Sequence, residues 1–280
     1  MVTYGTSPIK RQRRSKDDID QLKGVIFRVV AEDRPMTVRQ VFYRLVTLGV
    51  IPKTEAAYKG TVCRLLADMR LRHQLPYRWI VDNTRWMRKE QSFSSLERAL
   101  EHTAAAYRRS LWDNQDWYIE VWLEKEALSG VLYEITNQWD VPLMVTRGYS
   151  SISFLHEAAL HMEQVGKPVI IYYFGDYDPS GVDIPRVVED GIREHAPDVE
   201  LRLVRVAVNP DQVVQMGLPT RPTKATDSRS KSFQGESVEV DAIRPAILRS
   251  MATQCIERHI NERALEVMQV AEETERDILF

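Results

Sequence analysis

The sequence predicts an α/β protein in which a small basic helical domain precedes a parallel β-sheet covered by helices. Two observations lead to this fold class. Residues 1–90 contain 19 Lys and Arg against 9 Asp and Glu, whereas residues 91–280 contain 19 against 31. Beyond about residue 110, short apolar runs alternate with helical patterns, the rhythm of a parallel sheet with helical connections. We therefore divide the chain into a basic arm at 1–16, a helical domain with its connector at 17–110, and an α/β domain with a helical extension at 111–280.

Composition limits the classes of protein to which the chain can belong. With 44% hydrophobic and 28% charged residues, it has the make-up of a soluble globular protein. No apolar run approaches the roughly 20 residues that cross a bilayer, and the basic start of the chain has no apolar stretch after it. Cys63 and Cys255 lie far apart, without the spacing of a zinc site. We expect a cytoplasmic protein without membrane segments or disulfides.

The basic domain reads as three helices followed by a strand. Pro35 separates the first helix from the second, and Thr37 with Gln40 forms a capping-box pattern at the start of the second. The helices are predicted at about 17–33, 38–48 and 56–72, and the strand in YRWIVDN. This order under a net positive charge suggests a winged helix-turn-helix that binds double-stranded DNA. The third helix would contact the DNA through Lys59, Arg64, Arg70 and Arg72. A solvated basic face remains the alternative.

The α/β domain reads as four strands with helices between them. The strands are WYIEVWL, VPLMVT, PVIIYYF and VELRLVRVA, and the helices are predicted at about 126–139, 151–164 and 182–195. Ligands of parallel sheets bind beyond the carboxyl ends of the strands. The residues that follow each strand are therefore the ones to inspect for chemistry.

Three carboxylates follow two of these strands. Glu124 ends the first strand, and Asp176 and Asp178 follow the third. Side chains at i and i+2 of an extended backbone point the same way, so the two aspartates can face one site. Three acids at close range repel one another unless a cation is present, and oxygen ligands of this kind suit Mg²⁺. The sequence therefore predicts a magnesium site formed by these three residues.

Other interpretations of DYDPSG exist. An EF-hand loop needs a Glu at its twelfth position, where this chain has Val187, and an apolar strand precedes the motif instead of a helix. A phosphatase of the haloacid-dehalogenase type places its aspartates on the first strand and continues with a small residue and Thr, whereas Pro179 and Ser180 follow here. A purely structural interpretation makes the aspartates caps of the next helix.

Four short motifs together resemble a known family. LEKEAL at 123–128 and GDYDPSG at 175–181 resemble the glutamate and DxD motifs of a Toprim domain, and RGYSS at 147–151 resembles the turn after its second strand. VRQVFYRLV at 38–46 resembles the arginine and aromatic pair of the topoisomerase VI A subunit and the related meiotic double-strand-break transesterase. The resemblance covers roughly residues 20–210. It implies a winged-helix domain followed by a Rossmann-like Toprim domain, in a compact member similar to the reduced relatives called Mini-A.

This resemblance also implies a reaction. It makes Tyr43 the nucleophile, Arg39 the residue that holds the phosphate, and Glu124, Asp176 and Asp178 the ligands of Mg²⁺. The product would be a 5′-phosphotyrosyl link in Mg²⁺-dependent double-strand cleavage. It further implies a homodimer in which the tyrosine of one protomer works with the metal of the other, and an ATP-binding subunit for strand passage.

The spacing of the two helical residues agrees with such chemistry. Arg39 and Tyr43 are four residues apart on a predicted helix and share one face, where a guanidinium could hold a phosphate that the phenol attacks. An aromatic residue among Val41, Phe42 and Leu45 is also an ordinary core residue. Tyr58 and Tyr77 are weaker candidates for the nucleophile because neither has the arginine pattern.

Two further functions remain open at this point. One is a metal-dependent nuclease with the same acids and no covalent intermediate. The other is a non-catalytic DNA-binding module whose acids are structural.

The C-terminal part of the sequence carries less information. The polar stretch at 217–237 is predicted to be a loop ordered by DNA or by a partner protomer, with Lys224, Arg229 and Lys231 as candidate phosphate contacts. One or two closing helices are predicted within 239–275, with an apolar stripe formed by Ile243, Ile247, Met251, Cys255 and Ile260.

Overall fold

The computed structural model describes residues 14–81, 91–223, 233 and 235–278. Within them the chain is an α/β protein, as predicted, and its main sheet has four parallel strands in the order β4-β3-β5-β6. The strands are β3 (Tyr118–Leu123), β4 (Leu143–Val145), β5 (Val169–Phe174) and β6 (Leu201–Ala207). All four were predicted.

Helices connect these strands and close the chain. They are α6 (Ser129–Gln138), α7 (Ile152–Val165), α8 (Pro179–His195), α9 (Pro210–Gln215), α10 (Pro245–Glu257) and α11 (Glu262–Ile278). The prediction missed α9, and the first closing helix starts at Pro245 after a 3-10 turn at Val240–Ala242. In the part of the chain that the structure describes, no helix is long and apolar enough to cross a bilayer.

The basic part contains the three predicted helical stretches. Its elements are α1 (Lys16–Asp33), β1 (Met36–Thr37), α2 (Val38–Thr47), α3 (Glu55–Ala57), a π-helical segment (Tyr58–Cys63), α4 (Arg64–Leu71), β2 (Ile80–Val81) and the connector helix α5 (Leu96–Ala106). The predicted strand is shorter than expected, because a 3-10 turn takes up Tyr77–Trp79. Its two strand residues pair in parallel with β1. Most of the basic arm lies outside the described residues.

Helix α2 begins with the predicted capping box. The Gln40 backbone N–H donates to Thr37 Oγ1 at 3.1 Å, and the Thr37 N–H donates to Gln40 Oε1 at 2.9 Å. Two N–H groups that lack partners within the helix are thereby satisfied. The chain leaves the helix at Gly49, whose φ of +68° favours glycine. Local sequence therefore fixes the position of α2 and of the candidate residues on it.

The sheet separates two apolar layers. Alternate residues of β3 and β5, such as Val121 and Tyr172, face the layer of α6 and α10, whereas Trp122 and Tyr173 face α7 and α8. This alternation follows from the two-residue period of a strand. Both central strands are buried along their whole length.

The basic helices share the first of these layers. One continuous apolar cluster contains Ile26 of α1 and Leu45 of α2 together with Leu123 of β3 and Leu248 of α10. This cluster includes residues from both sides of residue 110, and the domain boundary placed there remains a prediction. The shared core holds α2 against the sheet.

Candidate active site

Glu124 and Asp176 lie together at the carboxyl edge of the sheet. Strands β3 and β5 are neighbours in a register that pairs Leu123 with Phe174, so the residues that follow them are adjacent. The Asp176 backbone N–H donates to Glu124 Oε2 at 2.9 Å, and the Tyr173 hydroxyl lies 3.4 Å from the same oxygen. Two of the three predicted acids therefore meet as the sheet topology requires.

Asp178 takes a different role in this structure. It is the N-cap of α8, and its Oδ1 accepts a hydrogen bond from the Gly181 N–H at 2.8 Å. Its Oδ2 lies 3.7 Å from Arg221. The capping interpretation thus holds for this aspartate. Among the described residues, no group of three His, Cys, Asp or Glu side chains is arranged to hold a metal ion.

The turn between β5 and α8 depends on two glycines. A Cβ on Gly181 would lie 2.2 Å from the carbonyl oxygen of Asp176, and one on Gly175 would lie 2.6 Å from Glu124 Oε2. At Gly181 the neighbouring atom belongs to the backbone, so only glycine allows this approach, whereas at Gly175 the neighbours are side-chain atoms of Glu124 and Tyr173. The glycines of the GDYDPSG motif therefore let the backbone fold tightly around the two acids.

The side chain of Arg205, on β6, forms hydrogen bonds with the backbone of this turn. Its guanidinium donates to the carbonyl oxygens of Gly181 at 2.7 Å, Val208 at 3.0 Å and Gly175 at 3.3 Å, and also to that of Asp176. Burial lowers the pKa of this arginine, which the nearby Tyr173 and Glu124 partly offset. One side chain thus donates hydrogen bonds to four carbonyl groups.

A second acid-rich segment runs along the turn. We call residues 238–241 the acidic strap, since they contain Glu239 and Asp241. Val238 and Tyr177 exchange two backbone hydrogen bonds of 2.8 Å, and the Val240 N–H donates to Asp176 Oδ1 at 2.9 Å. The strap is therefore joined to the DxD turn through backbone and side chain.

Lys125 lies at the centre of this group of acids. Its ammonium is 2.7 Å from Asp241 Oδ2, 3.0 Å from Glu239 Oε2 and 3.1 Å from Asp176 Oδ1. Burial opposes the charge of this lysine, but the carboxylates, Asp241 first, raise its pKa above the usual range. The ammonium therefore acts as a cation within the site.

Helix α2 contacts the strap. Arg39 Nε lies 3.8 Å from Glu239 Oε2, and Thr37 Oγ1 lies 3.4 Å from Asp241 Oδ1. Arg221 Nη1 lies 3.3 Å from Glu239 Oε1. Burial raises the pKa of Glu239, but Lys125 and then the two arginines outweigh it and lower the pKa overall. The strap thus connects the α2 face with the edge of the sheet.

Tyr43 is buried beside this network. Its side chain is 3% exposed, its ring packs against Phe42, and the Lys53 ammonium lies 5.5 Å from its ring centroid. Burial raises the pKa of its hydroxyl, Glu239 raises it further, and Lys125 and Arg39 act in the opposite direction. The phenol is protonated at neutral pH and has little contact with solvent in this conformation.

The guanidinium of Arg39 stacks on a different tyrosine. It lies 4.2 Å from the ring centroid of Tyr58, within the range of a cation–π contact, and 3.6 Å from Glu55. Tyr58 opens the π-helical segment, a geometry that recurs at functional sites. Tyr77 is exposed, and the Arg70 guanidinium lies 5.8 Å from its ring centroid.

Burial raises the pKa of both acids at the sheet edge. Burial, followed by repulsion from Asp176 and Asp178, raises the pKa of Glu124 to about 7. Burial also raises the pKa of Asp176, although Lys125 acts against this. Carboxylate oxygens are ligands that Mg²⁺ prefers, but in this structure Asp176 is paired with Lys125 and Asp178 caps α8.

The predicted DNA-contacting residues lie mainly on the surface. Lys59, Arg64 and Arg72 are exposed, whereas Arg70 is half-buried. Lys59 pairs with Glu55 at 3.4 Å and Arg72 with Asp68 at 2.7 Å. Arg64 lines a surface groove of about 710 Å³ between the start of α1 and the π-helical segment. Lys224, Arg229 and Lys231 lie outside the described residues.

Sequence reasoning missed five residues of this site. Two signals were present in the sequence, because Lys125 directly follows Glu124 and because EVD at 239–241 repeats the spacing of DYD at 176–178. No local sequence pattern indicated Arg205, which lies on a strand, or Arg221, which lies in a loop. The missed residues are Lys125, Arg205, Arg221, Glu239 and Asp241.

Comparison of the chain with protein-family models and with curated proteins finds no match. The fold and the edge geometry define an α/β protein with an acid-rich site at the carboxyl end of a parallel sheet. A helix that carries an arginine and a tyrosine packs beside that site.

Proposed function

We propose that this protein is a DNA-cleaving transesterase similar to the A subunit of type IIB topoisomerases. In this proposal the basic part is a winged-helix domain and the sheet belongs to a Toprim domain. The observation that carries it is the chain of contacts from Arg39 through Glu239 and Lys125 to Asp176. These contacts support the proposal because they connect Arg39 of α2, and with it Tyr43 one turn later, to the acids of the sheet edge.

Tyr43 is the proposed nucleophile. Its oxygen forms a bond with the phosphorus of a DNA phosphodiester, the bond from phosphorus to the 3′ oxygen breaks, and a 5′-phosphotyrosyl link results. The phenol loses its proton as the new bond forms, and the leaving 3′ oxygen takes up a proton. Arg39 neutralises the phosphate and favours the phenolate, since a nearby cation lowers the pKa of a phenol.

Glu124, Asp176 and Asp178 are the proposed holders of Mg²⁺. The bound ion would supply positive charge to the phosphate oxygens and to the leaving hydroxyl. The chain's own part is to hold the tight turn that brings Asp176 beside Glu124, which Gly181 and Arg205 do through the backbone of the turn. Asp178 would become the third ligand if its side chain gave up the hydrogen bond that caps α8 and bound the ion instead.

The remaining parts of the proposal concern partners. Double-stranded DNA is the substrate, and Lys59, Arg64, Arg70 and Arg72 are proposed to contact its phosphates. A homodimer would provide two centres, one for each strand. Relaxation of DNA would further need an ATP-binding subunit.

A second function is favoured by one observation. The hydroxyl of Tyr43 belongs to a side chain that is only 3% exposed. A metal-dependent nuclease would use the same acids with water as the nucleophile and would leave Tyr43 in the core. This alternative predicts DNA ends without attached protein.

One assay separates these functions. Supercoiled plasmid is incubated with the protein and Mg²⁺, the reaction is stopped with detergent, and DNA that carries covalent protein is collected. The transesterase predicts covalent ends that disappear with EDTA and in Tyr43→Phe but persist in Tyr133→Phe, a matched control at an exposed tyrosine. Free ends that persist in Tyr43→Phe indicate the nuclease. Binding without cleavage by the wild type indicates a DNA-binding module.

A further inference from the structure

We propose that Arg39 and Arg221 together bind one phosphate of the DNA backbone, and that the carboxylate of Glu239 occupies this position when no DNA is bound. This assignment rests on the proposed function, in which Arg39 holds the phosphate. It adds Arg221 as a second phosphate contact, and it makes Glu239 an internal competitor of the DNA.

Both guanidinium groups lie against the same carboxylate. Arg39 Nε is 3.8 Å from Glu239 Oε2, and Arg221 Nη1 is 3.3 Å from Glu239 Oε1. The Glu239 side chain is only 10% exposed, whereas the two arginine side chains are 31% and 32% exposed and can be reached from solvent. Arginine binds the paired oxygens of a carboxylate and of a phosphate in the same way. A phosphodiester can therefore take the place of this carboxylate.

The donors of the two arginines are poorly used in this structure. Arg39 also lies 3.6 Å from Glu55, and Arg221 also lies 3.7 Å from Asp178. These distances, and the two to Glu239, exceed the roughly 2.7–2.9 Å of a charge-assisted hydrogen bond. Arg221 Nε is buried and lacks a hydrogen-bond partner in the part of the chain that the structure describes. Arginine donors in this state indicate an acceptor that comes from outside the chain.

Neighbouring residues hold both arginines in position. The Arg39 guanidinium stacks on the ring of Tyr58, 4.2 Å from its centroid. Arg221 and Ser237 exchange two backbone hydrogen bonds of 2.8 Å, and Ser237 directly precedes the acidic strap. Donors that are already in position lose less conformational entropy when a ligand binds.

Lys125 allows Glu239 to leave this position. Its ammonium is 3.0 Å from Glu239 Oε2, but it also lies 2.7 Å from Asp241 and 3.1 Å from Asp176. The lysine therefore keeps two carboxylate partners when the Glu239 side chain turns away. A rotation of this one side chain then uncovers both arginines for the phosphate.

DNA binding without cleavage tests the site. Fluorescence anisotropy of a labelled duplex oligonucleotide, in EDTA and at several salt concentrations, gives the affinity of each variant. Glu239→Gln should bind the duplex about tenfold more tightly than the wild type, because the arginines lose their internal partner. Arg221→Met should bind it about tenfold more weakly, and the slope of log affinity against log salt should fall by about one.

Two control variants separate contact from net charge. Glu236→Gln makes the same change of charge, but Glu236 contacts Thr220. Arg202→Met removes an exposed arginine that pairs with Glu200 at 3.2 Å. Each control should change the affinity by no more than about threefold.

The double variant Glu239→Gln/Arg221→Met decides whether Glu239 acts through the arginine. Competition predicts that the gain from Glu239→Gln falls to about threefold or less once Arg221 is replaced, because the two changes are coupled. A gain of equal size in both backgrounds indicates a general effect of charge and overturns the proposal. Weaker DNA binding by folded Glu239→Gln overturns it as well.

Arg221 keeps the test usable if Glu239→Gln does not fold. A folded Arg221→Met variant that binds DNA as tightly as the wild type overturns the proposal. Arg221→Lys should recover the salt slope but not the full affinity, since lysine lacks the paired donors. Absence of DNA binding by both the wild type and Glu239→Gln also overturns the site. Plasmid that stays uncleaved while these affinities change as expected counts against the proposed function alone.

Discussion

Arg244 donates hydrogen bonds from Nε and Nη2 to the two carboxylate oxygens of Asp33, at 2.9 and 2.8 Å. The two residues are 211 positions apart, and the carboxylate is buried. This pair connects the last turn of α1 to the start of α10.

We expect Asp33→Ala to lower the free energy of unfolding by about 3 kcal/mol, because it leaves the arginine without its buried partner. Glu32→Gln is the control, since Glu32 contacts the same Arg244 at 2.8 Å from an exposed position and should cost no more than about 0.5 kcal/mol. Urea unfolding measures both. Equal losses for the two variants would contradict the importance of burial.

Glu120 should make stability depend on pH. Burial raises the pKa of this carboxyl to about 7, although Trp122 donates to it at 2.6 Å. The folded chain then keeps a proton that the unfolded chain loses near pH 4.5. The stability from this group is therefore full below pH 4.5 and is lost as the pH rises through about 7.

The matching variant is Glu120→Gln. At pH 8 it should be more stable than the wild type by up to about 3 kcal/mol, and the advantage should vanish near pH 4. Urea unfolding of both proteins across this range checks the prediction. A difference in stability that does not change with pH would show that Glu120 does not retain its proton.

Gly181→Ala should disrupt the turn that holds the acids. The new Cβ would meet the Asp176 carbonyl oxygen at 2.2 Å, and a backbone atom cannot move aside cheaply. We expect a loss of about 2 kcal/mol in the free energy of unfolding together with loss of DNA cleavage.

Gly24→Ala is the matched control for this change. Gly24 lies inside α1 with nothing within 4 Å of the position of a Cβ, so alanine should stabilise the helix by up to about 1 kcal/mol. Both substitutions replace glycine with alanine, but they should change the free energy of unfolding in opposite directions. Thermal unfolding and plasmid cleavage are the measurements.

Arg205→Met should also loosen this turn, because it removes the side chain that binds the backbone of the turn. It removes the donors to four carbonyl oxygens, and each buried acceptor left without a partner costs about 1–3 kcal/mol unless water replaces the donor. Arg202→Met, on the same strand but with an exposed side chain, should cost much less. Faster hydrogen exchange at residues 175–181 in the first variant alone would support this role.

The sequence allowed the sheet and its functional edge to be predicted because both depend on local patterns. Apolar runs of six or seven residues located the strands, and parallel pairing then required Glu124 and Asp176 to be neighbours. The start of α2 was also predictable, since the Thr37 and Gln40 capping box acts within three residues.

Long-range contacts explain what the sequence did not reveal. Lys125 meets its strap partners across 114 and 116 positions, and no periodicity indicates such a pairing. The role of Asp178 was hard to predict for a different reason, because an aspartate followed by a proline is common both to metal ligands and to helix caps. In this structure its Oδ1 accepts a hydrogen bond from the Gly181 N–H and so caps the helix.

The apolar cluster shared by the basic helices and the sheet has a practical consequence. A fragment cut near residue 110 would leave Leu45 and Ile26 on one piece, and Leu123 and Leu248 on the other, facing water. Separately expressed halves would then tend to aggregate. Biochemical work on either half is therefore best done with the intact polypeptide, using point substitutions instead of truncations.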